Sequence, residues 1–392
     1  MSKRILVFST AYLPFVGGAE VAIKEIAGRL GGEYEFDLIA ARYARNLPKT
    51  ERIGVVTVHR IGPGIPILDK LWVPWGGALE ALKLHRQHGY GLFWCMMATY
   101  ASGAAYIANS FLRPRVPVLL TLQEGDSERY LRRKWAGLVD ISWRLALRRA
   151  NAVSVISRYL GARAKKLGFR GEPVLIPNAV NTKHFAGPIS SEERARMRAS
   201  LGLKDDDVAL VTTSRLVYKN ACDDAIKALA LLPENVHFII YGIGPDGAML
   251  RELAKKEGVS ARTHFMGQIG HAEMPTALKS CDIFIRPSRS EGMGNSFIEA
   301  MAANVPVIAT QEGGIADFLF DAKRNPGKEA TGWAVDKDSP QQIAAAVRDI
   351  LANPEKVARV TASANALVIK KYDWDLVAAS MRGLFDRMFA KG

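Results

Sequence analysis

Two acidic side chains with an anion-binding pattern between them are the first candidates for chemistry. Glu291 and Glu299 are eight residues apart in RPSRSEGMGNSFIEAMAANVPVIATQEGG, residues 286–314. Gly292 and Gly294 disfavour one continuous helix through both acids, so we predict Glu291 in a loop and a helix that begins near Gly294 or Asn295. Backbone N–H groups at a helix start bind phosphate; here they belong to Met293, Gly294, Asn295 and Ser296. A phosphate site with a carboxylate on each side fits a sugar nucleotide.

A pair of cations precedes this segment. Arg215 and Lys219 flank a predicted strand-to-helix turn that follows ALVTTSRL, residues 209–216. Two cations at such a turn neutralise a diphosphate and can replace a metal ion in supporting a phosphate leaving group. The next strand, VHFIIY, ends in a turn that contains Gly242 and Gly244, where a ligand can approach the backbone closely. Two surface cations beside an ordinary turn are the alternative.

The first half of the chain offers a second glycine turn. The apolar run KRILVFST, residues 3–10, is followed by a loop with Gly17 and Gly18 and then by an amphipathic helix. Strand, glycine turn and helix form a mononucleotide-type unit in which backbone and helix N-terminus meet a ligand. The same residues also suit an ordinary turn.

Further along, TLQEGD, residues 121–126, follows a buried strand, where α/β proteins bind ligands. Glu124 and Asp126 in this segment are candidate polar contacts for an acceptor.

Strands and helices alternate along the chain, which predicts parallel sheets covered on both faces. Strands are expected near residues 35–41, 55–61, 92–99, 116–122 and 152–156 in the first half, and the periodicity restarts at Val208. With 392 residues, two domains are expected. We predict an N-terminal domain over 1–182, a linker with a surface helix over 183–205, a second domain over 206–371, and a C-terminal helix over 372–392.

Composition and charge narrow the class of protein. Hydrophobic residues make up 48% of the chain, as in a globular enzyme, and the three cysteines form no metal or disulfide pattern. We expect a cytoplasmic protein without a signal peptide, because the apolar run at the N-terminus is short, and without a membrane span. Residues 205–207, three aspartates, contain a formal Asp-x-Asp pattern, but their place before a strand indicates a solvated turn rather than a metal site.

Two segments could face a membrane or an acceptor. Arg129–Arg149 interleaves cations with aromatic and aliphatic residues, so it predicts a basic amphipathic helix within a chain of net charge +14. Its basic face is either an ordinary solvated surface or a contact with the inner face of an anionic membrane; nucleic acid is not expected, because no nucleic-acid-binding motif accompanies the charge. Residues 60–77 are rich in Pro and Gly and predict a loop. Its apolar members, Leu68, Leu71, Trp72, Val73 and Trp75, either pack in the core or form an exposed lip.

Taken together, these segments resemble a known family. The Glu291–Glu299 pair, set between a strand and a second strand followed by Gly313-Gly314, is similar to the Glu-x7-Glu signature of retaining glycosyltransferases of the GT-B fold, in particular glycosyltransferase family 4. The Arg-Leu…Lys element at 215–219, the GxGP turn at 242–245, IPNAVN at 176–181 and GWAV at 332–335 resemble further family segments. The resemblance extends over the whole chain and is most specific in its second half.

The resemblance implies roles for individual residues. Glu291 would contact the transferred sugar, Glu299 the ribose hydroxyls, Arg215 and Lys219 the diphosphate, and Gly17 and Gly18 would line the site. Residues 266–269 would meet the nucleotide base. The family usually carries a histidine near Gln123, and we place Gln123 at the donor sugar. Glutamine can hydrogen-bond a sugar hydroxyl but cannot carry a proton or charge. Asn220 and Ala179 stand where glycine is usual, and Asn181 where aspartate is usual.

The fold and reaction that the resemblance implies are two Rossmann-like α/β domains facing across a cleft, with the last helix crossing back to the first domain. Such an enzyme transfers a sugar from a nucleoside-diphosphate sugar, UDP or GDP being expected, to a hydroxyl of a glycan or lipid-linked acceptor with retention of configuration, as in cell-envelope polysaccharide synthesis. We expect neither a cofactor nor a metal. The alternatives are a nucleotide-sugar epimerase on the same fold and a nucleotide-sugar-binding protein whose catalytic loop has decayed.

Overall fold

The chain folds into two compact units. The computed structural model describes residues 3–126 and 138–390. The first unit consists of Met1–Asn178 together with Trp374–Gly392, and the second of Ala179–Asp373. The division therefore falls four residues before the end of the predicted first domain, and it assigns the predicted linker to the second unit.

The first unit is built on a sheet in the order β3-β4-β2-β1-β5-β6-β7-β8, counted over the described residues. The strands are β1 (Lys3–Phe8), β2 (Tyr34–Ala41), β3 (Thr50–Ile53), β4 (Val56–Ile61), β5 (Leu92–Met96), β6 (Val118–Leu122), β7 (Ala152–Val155) and β8 (Val174–Leu175). Residues 5–8 and all of β5 and β6 are buried, as expected for strands covered on both faces. The sequence did not predict the edge strand β3, which pairs antiparallel with β4 through a short hairpin.

Helices cover this sheet: α1 (Gly18–Leu30), α2 (Pro66–His88), α3 (Tyr100–Phe111), α4 (Leu138–Arg149) and α5 (Arg158–Lys166). Our prediction of a loop over residues 60–77 was wrong, because α2 begins at Pro66 and continues through Pro74. Proline is well tolerated in a first helical turn, and the buried Asp69 anchors that turn by accepting the N–H groups of Tyr43 and Gly64 at 2.7 and 3.1 Å. Burial thus outweighs the local helix-breaking residues.

The apolar residues of α2 divide between two faces. Val73 is fully buried, whereas Leu68, Leu71, Trp72 and Trp75 are exposed, together with Ile67 and Leu79. The four residues at 67, 71, 75 and 79 repeat every fourth position and so lie along one side of the helix. Of the five apolar residues for which we expected either core packing or an exposed lip, Val73 packs in the core and the other four are exposed.

The last helix, α14 (Trp374–Phe389), belongs to the first unit, as predicted. Phe385 is fully buried and contacts the rings of Tyr34 and Trp94 with centroids 5.5 and 5.3 Å away. Asp375 pairs with Nε of Arg29 on α1 at 2.6 Å. The helix completes the core of this unit on the side of β1, β2 and β5.

The second unit has a parallel sheet in the order β11-β10-β9-β12-β13-β14. The strands are β9 (Val208–Thr213), β10 (Val236–Tyr241), β11 (Thr263–Gly267), β12 (Ile283–Arg286), β13 (Val307–Ala309) and β14 (Trp333–Ala334). The helices are α6 (Thr182–Ala186), α7 (Ser191–Ser200), α8 (Cys222–Leu229), α9 (Gly247–Lys256), α10 (Met274–Lys279), α11 (Asn295–Ala302), α12 (Pro340–Ala352) and α13 (Pro354–Lys371). The carboxyl ends of β9, β10 and β12 meet at one edge, where open α/β sheets bind ligands.

The predicted linker is an integral part of this unit. Arg198 on α7 is buried and donates to the backbone oxygens of Ser280, Lys204 and Asp207 at 3.2, 3.1 and 2.5 Å. A guanidinium bound to three carbonyls fixes α7 on the sheet. The high charge of residues 183–205 marks a surface helix held by polar contacts and not a free linker.

The described part of the basic stretch is α4. Trp143 and Leu147 are buried while Ile141 and Leu145 are exposed, and Arg144 pairs with Asp140 at 2.8 Å. One side of α4 is therefore core. Residues 129–137 of the predicted amphipathic helix lie outside the described residues. Within the described ranges, no helix combines the length and apolar character needed to cross a bilayer.

Candidate functional site

A buried arginine organises the loop between β12 and α11. Arg286 is the last residue of β12, and its guanidinium donates to Ser288 Oγ at 3.2 Å, Ser296 Oγ at 2.7 Å and Asn220 Oδ1 at 3.4 Å. It also forms an ion pair with Glu291. An arginine at the end of the apolar strand IFIR was a signal in the sequence, since a buried guanidinium requires partners. Sequence reasoning nevertheless missed its role.

Glu291 lies in the predicted loop, with its side chain about 10% exposed. Its carboxylate is held by Arg286 and accepts the N–H of Gly292 at 3.0 Å, while its carbonyl oxygen accepts the N–H of Gly314 at 3.1 Å. Both the side chain and the backbone of Glu291 are thus fixed. The carboxylate is oriented by the protein before any ligand arrives.

The helix that follows begins at Asn295, which confirms the predicted start. Gly294 is the N-cap, with φ of 86°, and a Cβ there would lie 2.5 Å from the ring of Phe297. Only glycine fits this conformation and this contact. Met293 is buried beside it, and the hydroxyl of Ser296 is bound to Arg286. The N-terminus of α11 therefore stays free of a large side chain at its cap.

Glu299 lies one turn into α11 and retains 15% exposure of its side chain. Burial raises the pKa of its carboxyl to about 7, although the nearby Arg286 opposes the shift. Nε2 of the exposed His271 is 3.9 Å from its carboxylate oxygen. The carboxylate is therefore accessible and titrates near neutral pH.

The cationic turn is tied to the same loop. Arg215 is exposed, and its carbonyl oxygen accepts the side-chain amide of Asn220 at 2.6 Å, the same Asn220 that accepts from Arg286. The carbonyl oxygen of Lys219 accepts the N–H of Arg289 at 2.7 Å. Arg215 and Lys219 are therefore joined through Asn220 and Arg289 to the loop that carries Glu291.

Gly242 and Gly244 support this turn by close backbone packing. A Cβ on Gly242 would lie 1.8 Å from the carbonyl oxygen of Ser214, and one on Gly244 would lie 2.1 Å from that of Leu216. The N–H of Leu216 donates to Ile243 O at 3.0 Å. The glycines let the β10–α9 turn lie directly against the residues on either side of Arg215.

In the first unit, Gly17 and Gly18 lie at the N-terminus of α1, with Gly17 as the N-cap. Glu20 is buried in the first turn of this helix, and burial raises the pKa of its carboxyl against hydrogen bonds from its own N–H and that of Gly17. A Cβ on Gly17 would lie 2.7 Å from a Glu20 oxygen. A carboxylate of the chain itself therefore occupies the N-terminus of α1, which the sequence did not indicate.

Gln123 follows β6, and its side-chain amide pairs with that of Asn178: its Nε2 donates at 3.0 Å and its Oε1 accepts at 3.2 Å. The neighbouring Glu124 accepts the N–H groups of Ala98 and Gln123 at 2.6 and 2.9 Å. Burial raises the pKa of Glu124 to about 7, with the backbone hydrogen bonds opposing it. Glu124 thus braces this loop, and Asn178 orients Gln123.

The predicted site residues accordingly form two sets. The second unit brings together Arg215, Lys219, Gly242, Gly244, Glu291, Met293, Gly294, Asn295, Ser296 and Glu299; the first unit holds Gly17, Gly18 and Gln123. Arg286, Asn220, Glu20, Asn178 and Arg289 complete them and were not predicted. Over the described ranges, no cluster of three His, Cys, Asp or Glu side chains has the arrangement of a metal site.

Comparison with known proteins places both halves of the chain. Residues 16–184 match the family model described as Glycosyltransferase Family 4, and residues 193–367 match Glycosyl transferases group 1. A GDP-mannose-dependent alpha-(1-6)-phosphatidylinositol monomannoside mannosyltransferase of Mycolicibacterium smegmatis is 33% identical over 246 residues, which are 59% of this chain and 62% of that protein. The chain thus spans less than two thirds of the length of that relative.

Two further matches extend over nearly the whole chain. The alpha-monoglucosyldiacylglycerol synthase of Acholeplasma laidlawii is 25% identical and aligns with 97% of this chain and 96% of its own length. The structure of sucrose-phosphate synthase from Thermosynechococcus elongatus matches with a TM-score of 0.85 at 22% identity and covers 100% of both chains. The latter establishes the GT-B fold of two Rossmann-like units. The site motifs, the two family matches and the fold agree, and the chain belongs to the group 1 glycosyltransferases of family 4.

Proposed function

We propose that this protein transfers a hexosyl group from a UDP- or GDP-sugar to a hydroxyl of a glycan or lipid-linked acceptor, with retention of configuration. The second unit would bind the nucleotide and the first unit the acceptor. The activity is consistent with the family, and the mannosyl- and glucosyltransferase names of relatives support a hexose as the transferred group.

The observation that carries the proposal is the network around Arg286. It joins a fixed carboxylate, Glu291, to a helix N-terminus and, through Asn220, to the turn with Arg215 and Lys219. A diphosphate needs cations and N–H donors, and a sugar needs hydrogen-bond acceptors at its hydroxyls. In this assignment Glu299 accepts from the ribose and Glu291 from the transferred sugar.

The leaving nucleoside diphosphate would be stabilised by protein cations. Arg215 and Lys219 lie on one turn at the carboxyl end of β9, and the N-terminus of α11 adds a positive partial charge. We therefore propose a metal-independent reaction. Sugar transfer in excess EDTA tests this point: full activity is expected, and a complete loss that magnesium restores would contradict it.

For a lipid-linked acceptor, we propose that the protein reaches it at a membrane surface. The exposed stripe of Ile67, Leu71, Trp75 and Leu79 on α2 supports this, because such a stripe binds the interfacial region of a bilayer. The basic stretch Arg129–Arg149 would add attraction to anionic headgroups. Cosedimentation with anionic and zwitterionic vesicles tests the idea: salt-sensitive binding to anionic vesicles alone is expected, and L71A/W75A should weaken it.

The catalytic assignment is tested with Arg215→Ala and Lys219→Ala. Loss of a donor to the leaving group typically lowers kcat by about 10²–10³-fold, so each variant should lose activity on that scale. Lys255→Ala, which removes an exposed cation paired with Glu252, is the matched control. Normal transfer by both site variants would refute the assignment.

NMR of the donor separates this function from its rivals. An epimerase would convert the UDP- or GDP-sugar without an acceptor, and a decayed binding protein would leave it unchanged with or without one. We expect conversion only in the presence of acceptor, apart from slow hydrolysis.

A further inference from the structure

Arg289 lies in the same loop as Glu291 and has every side-chain donor satisfied. Its Nε donates to Asp338 at 2.6 Å; Nη1 donates to Asp223 at 2.8 Å and to the carbonyl oxygen of Tyr218 at 2.9 Å; Nη2 donates to Asp223 at 2.9 Å and Asp224 at 3.0 Å. A guanidinium has five N–H groups, and all five are used within the protein. Arg289 therefore has no donor left for a ligand.

The partners of Arg289 come from three separate segments. Asp223 and Asp224 lie in the first turn of α8, Tyr218 lies in the 3-10 turn Tyr218–Asn220, and Asp338 precedes α12. The guanidinium also stacks 4.4 Å from the centre of the Tyr218 ring. In addition, the backbone N–H of Arg289 donates to Lys219 O. Arg289 thus binds the backbone carbonyl oxygens of both Tyr218 and Lys219.

Arg289 and its three aspartate partners are held together by opposite charges. The Arg289 side chain is only 9% exposed, and Asp224 is buried as well. Burial lowers the pKa of Arg289, but the hydrogen bonds that it donates to Asp223 and Asp338 outweigh burial and raise that pKa. Lys227 adds a second cation at 3.5 Å from Asp223 and 3.7 Å from Asp224. A buried charge with this many hydrogen bonds is costly to displace.

We propose that Arg289 is a positioning residue of the donor site, which fixes the ammonium of Lys219 by clamping the turn Tyr218–Asn220 and the start of α8 to the loop that carries Glu291. This inference rests on the proposed function for the identity of the ligand, while the clamp itself is independent of any ligand. Lysine has three donors on a flexible stem and cannot reproduce the fork of arginine. Arg289→Lys keeps the charge and loosens the clamp.

Two measurements on the full chain test the proposal. Hydrogen exchange of the amides of Asn220 and Ala221, which donate to Val217 O and Tyr218 O within the turn, should become about 10-fold faster in R289K, because the turn opens locally. Calorimetric titration with UDP and with GDP should show about 10-fold weaker binding of whichever nucleotide the wild-type protein binds more tightly, because the Lys219 ammonium is less well placed.

The matched control is Arg262→Lys. Arg262 donates to four backbone carbonyls, those of Leu229, Leu232, Pro233 and Val236, at the opposite, amino-terminal edge of the same sheet. R262K should lower thermal stability without changing exchange in the turn or nucleotide affinity. Equal losses of affinity in both variants would mean that Arg289 contributes stability alone, and would overturn the proposal.

A double-mutant cycle separates an effect through Lys219 from an independent one. If Arg289 acts by placing Lys219, adding R289K to Lys219→Ala should change the affinity less than twofold. Multiplicative losses would contradict the proposal, and so would unchanged exchange of the turn amides in R289K. If the turn responds as expected but the wild-type protein binds neither UDP nor GDP, the clamp is upheld and the donor assignment of the proposed function fails.

Discussion

The carboxylate of Glu291 lies against the guanidinium of Arg286, and both side chains are only 10% exposed. The two residues stand on either side of the turn that connects β12 to the loop. Because the pair is shielded from water, each partner depends on the other for compensation of its charge.

Breaking this pair should destabilise the second unit strongly. Arg286→Met leaves Glu291 as a buried, uncompensated charge, so the free energy of unfolding should fall by about 3–5 kcal/mol. Urea denaturation measures the change. Arg324→Met serves as the control, because Arg324 pairs with Asp336 at a more exposed position and should cost less than about 1 kcal/mol. Similar small losses in both variants would contradict the idea of a tightly coupled pair.

Nucleotide binding should depend on the titration of Glu299. Its pKa is raised from 4.5 to about 7, so the carboxyl is largely protonated at pH 6 and charged at pH 8. The charged form is the better acceptor for ribose hydroxyls. Affinity for UDP or GDP should therefore fall more steeply from pH 8 to pH 6 in the wild-type protein than in Glu299→Gln. The ionisation of the nucleotide itself is common to both proteins, and parallel pH profiles would exclude Glu299.

The same shift predicts an effect on stability. Since the folded-state pKa exceeds the unfolded value, the folded state binds the proton more tightly, and the free energy of unfolding should decrease as pH rises from about 4.5 to about 7. Glu299→Gln should lack this contribution. Urea denaturation at several pH values compares the two slopes; equal slopes between pH 4.5 and 7 would rule the contribution out.

A histidine pair on β10 and β11 should make the free energy of unfolding rise with pH, opposite to the effect of Glu299. His237 Nδ1 and His264 Nε2 are 3.0 Å apart on β10 and β11. Burial lowers the pKa of both rings, opposed by Asp207. The unfolded state therefore binds more protons below pH 6.5, so stability should be lost as pH falls below that value. His264→Gln should flatten the slope of unfolding free energy between pH 5 and 7; an unchanged slope would contradict this.

The close packing at Gly242 predicts that alanine is much more destabilising there than at Gly258. Alanine at 242 would place a methyl group 1.8 Å from Ser214 O, whereas nothing lies within 4 Å of a Cβ at Gly258, where φ is +72°. Gly258→Ala should cost about 1 kcal/mol from backbone strain. Gly242→Ala must in addition displace the backbone next to Arg215, so it should cost at least about 2 kcal/mol more. Thermal unfolding of both variants checks the order.

Much of the second unit followed from the sequence. Short apolar runs such as VHFIIY predicted its strands, and Gly294 marked the start of α11, because the pattern and the local conformation agree there. What could not be foreseen is which polar groups meet. Asn220 follows β9, whereas Arg286 and Arg289 lie at and after the end of β12, and only the pairing of β9 with β12 brings Asn220 to them.

The first unit was harder to predict where tertiary contacts override local signals. Residues 60–77 contain three prolines and four glycines, a composition typical of a loop. The burial of Asp69 and Val73 nevertheless keeps most of these residues helical. Gln123 was recognised as a departure from the family pattern, but its pairing with Asn178 depends on β6 and the segment after β8. A pattern in one segment carries no information about its partner in another.

The return of α14 to the first unit also has a consequence for synthesis on the ribosome. The rings of Tyr34 and Trp94 meet Phe385 only after the whole second unit has been synthesised. The second unit, whose residues are contiguous from Ala179 to Asp373, can fold while the first unit still lacks α14. Most of the first unit is translated before the second unit, but its core is completed last. Aromatic side chains on its strands therefore stay uncovered until α14 has been synthesised.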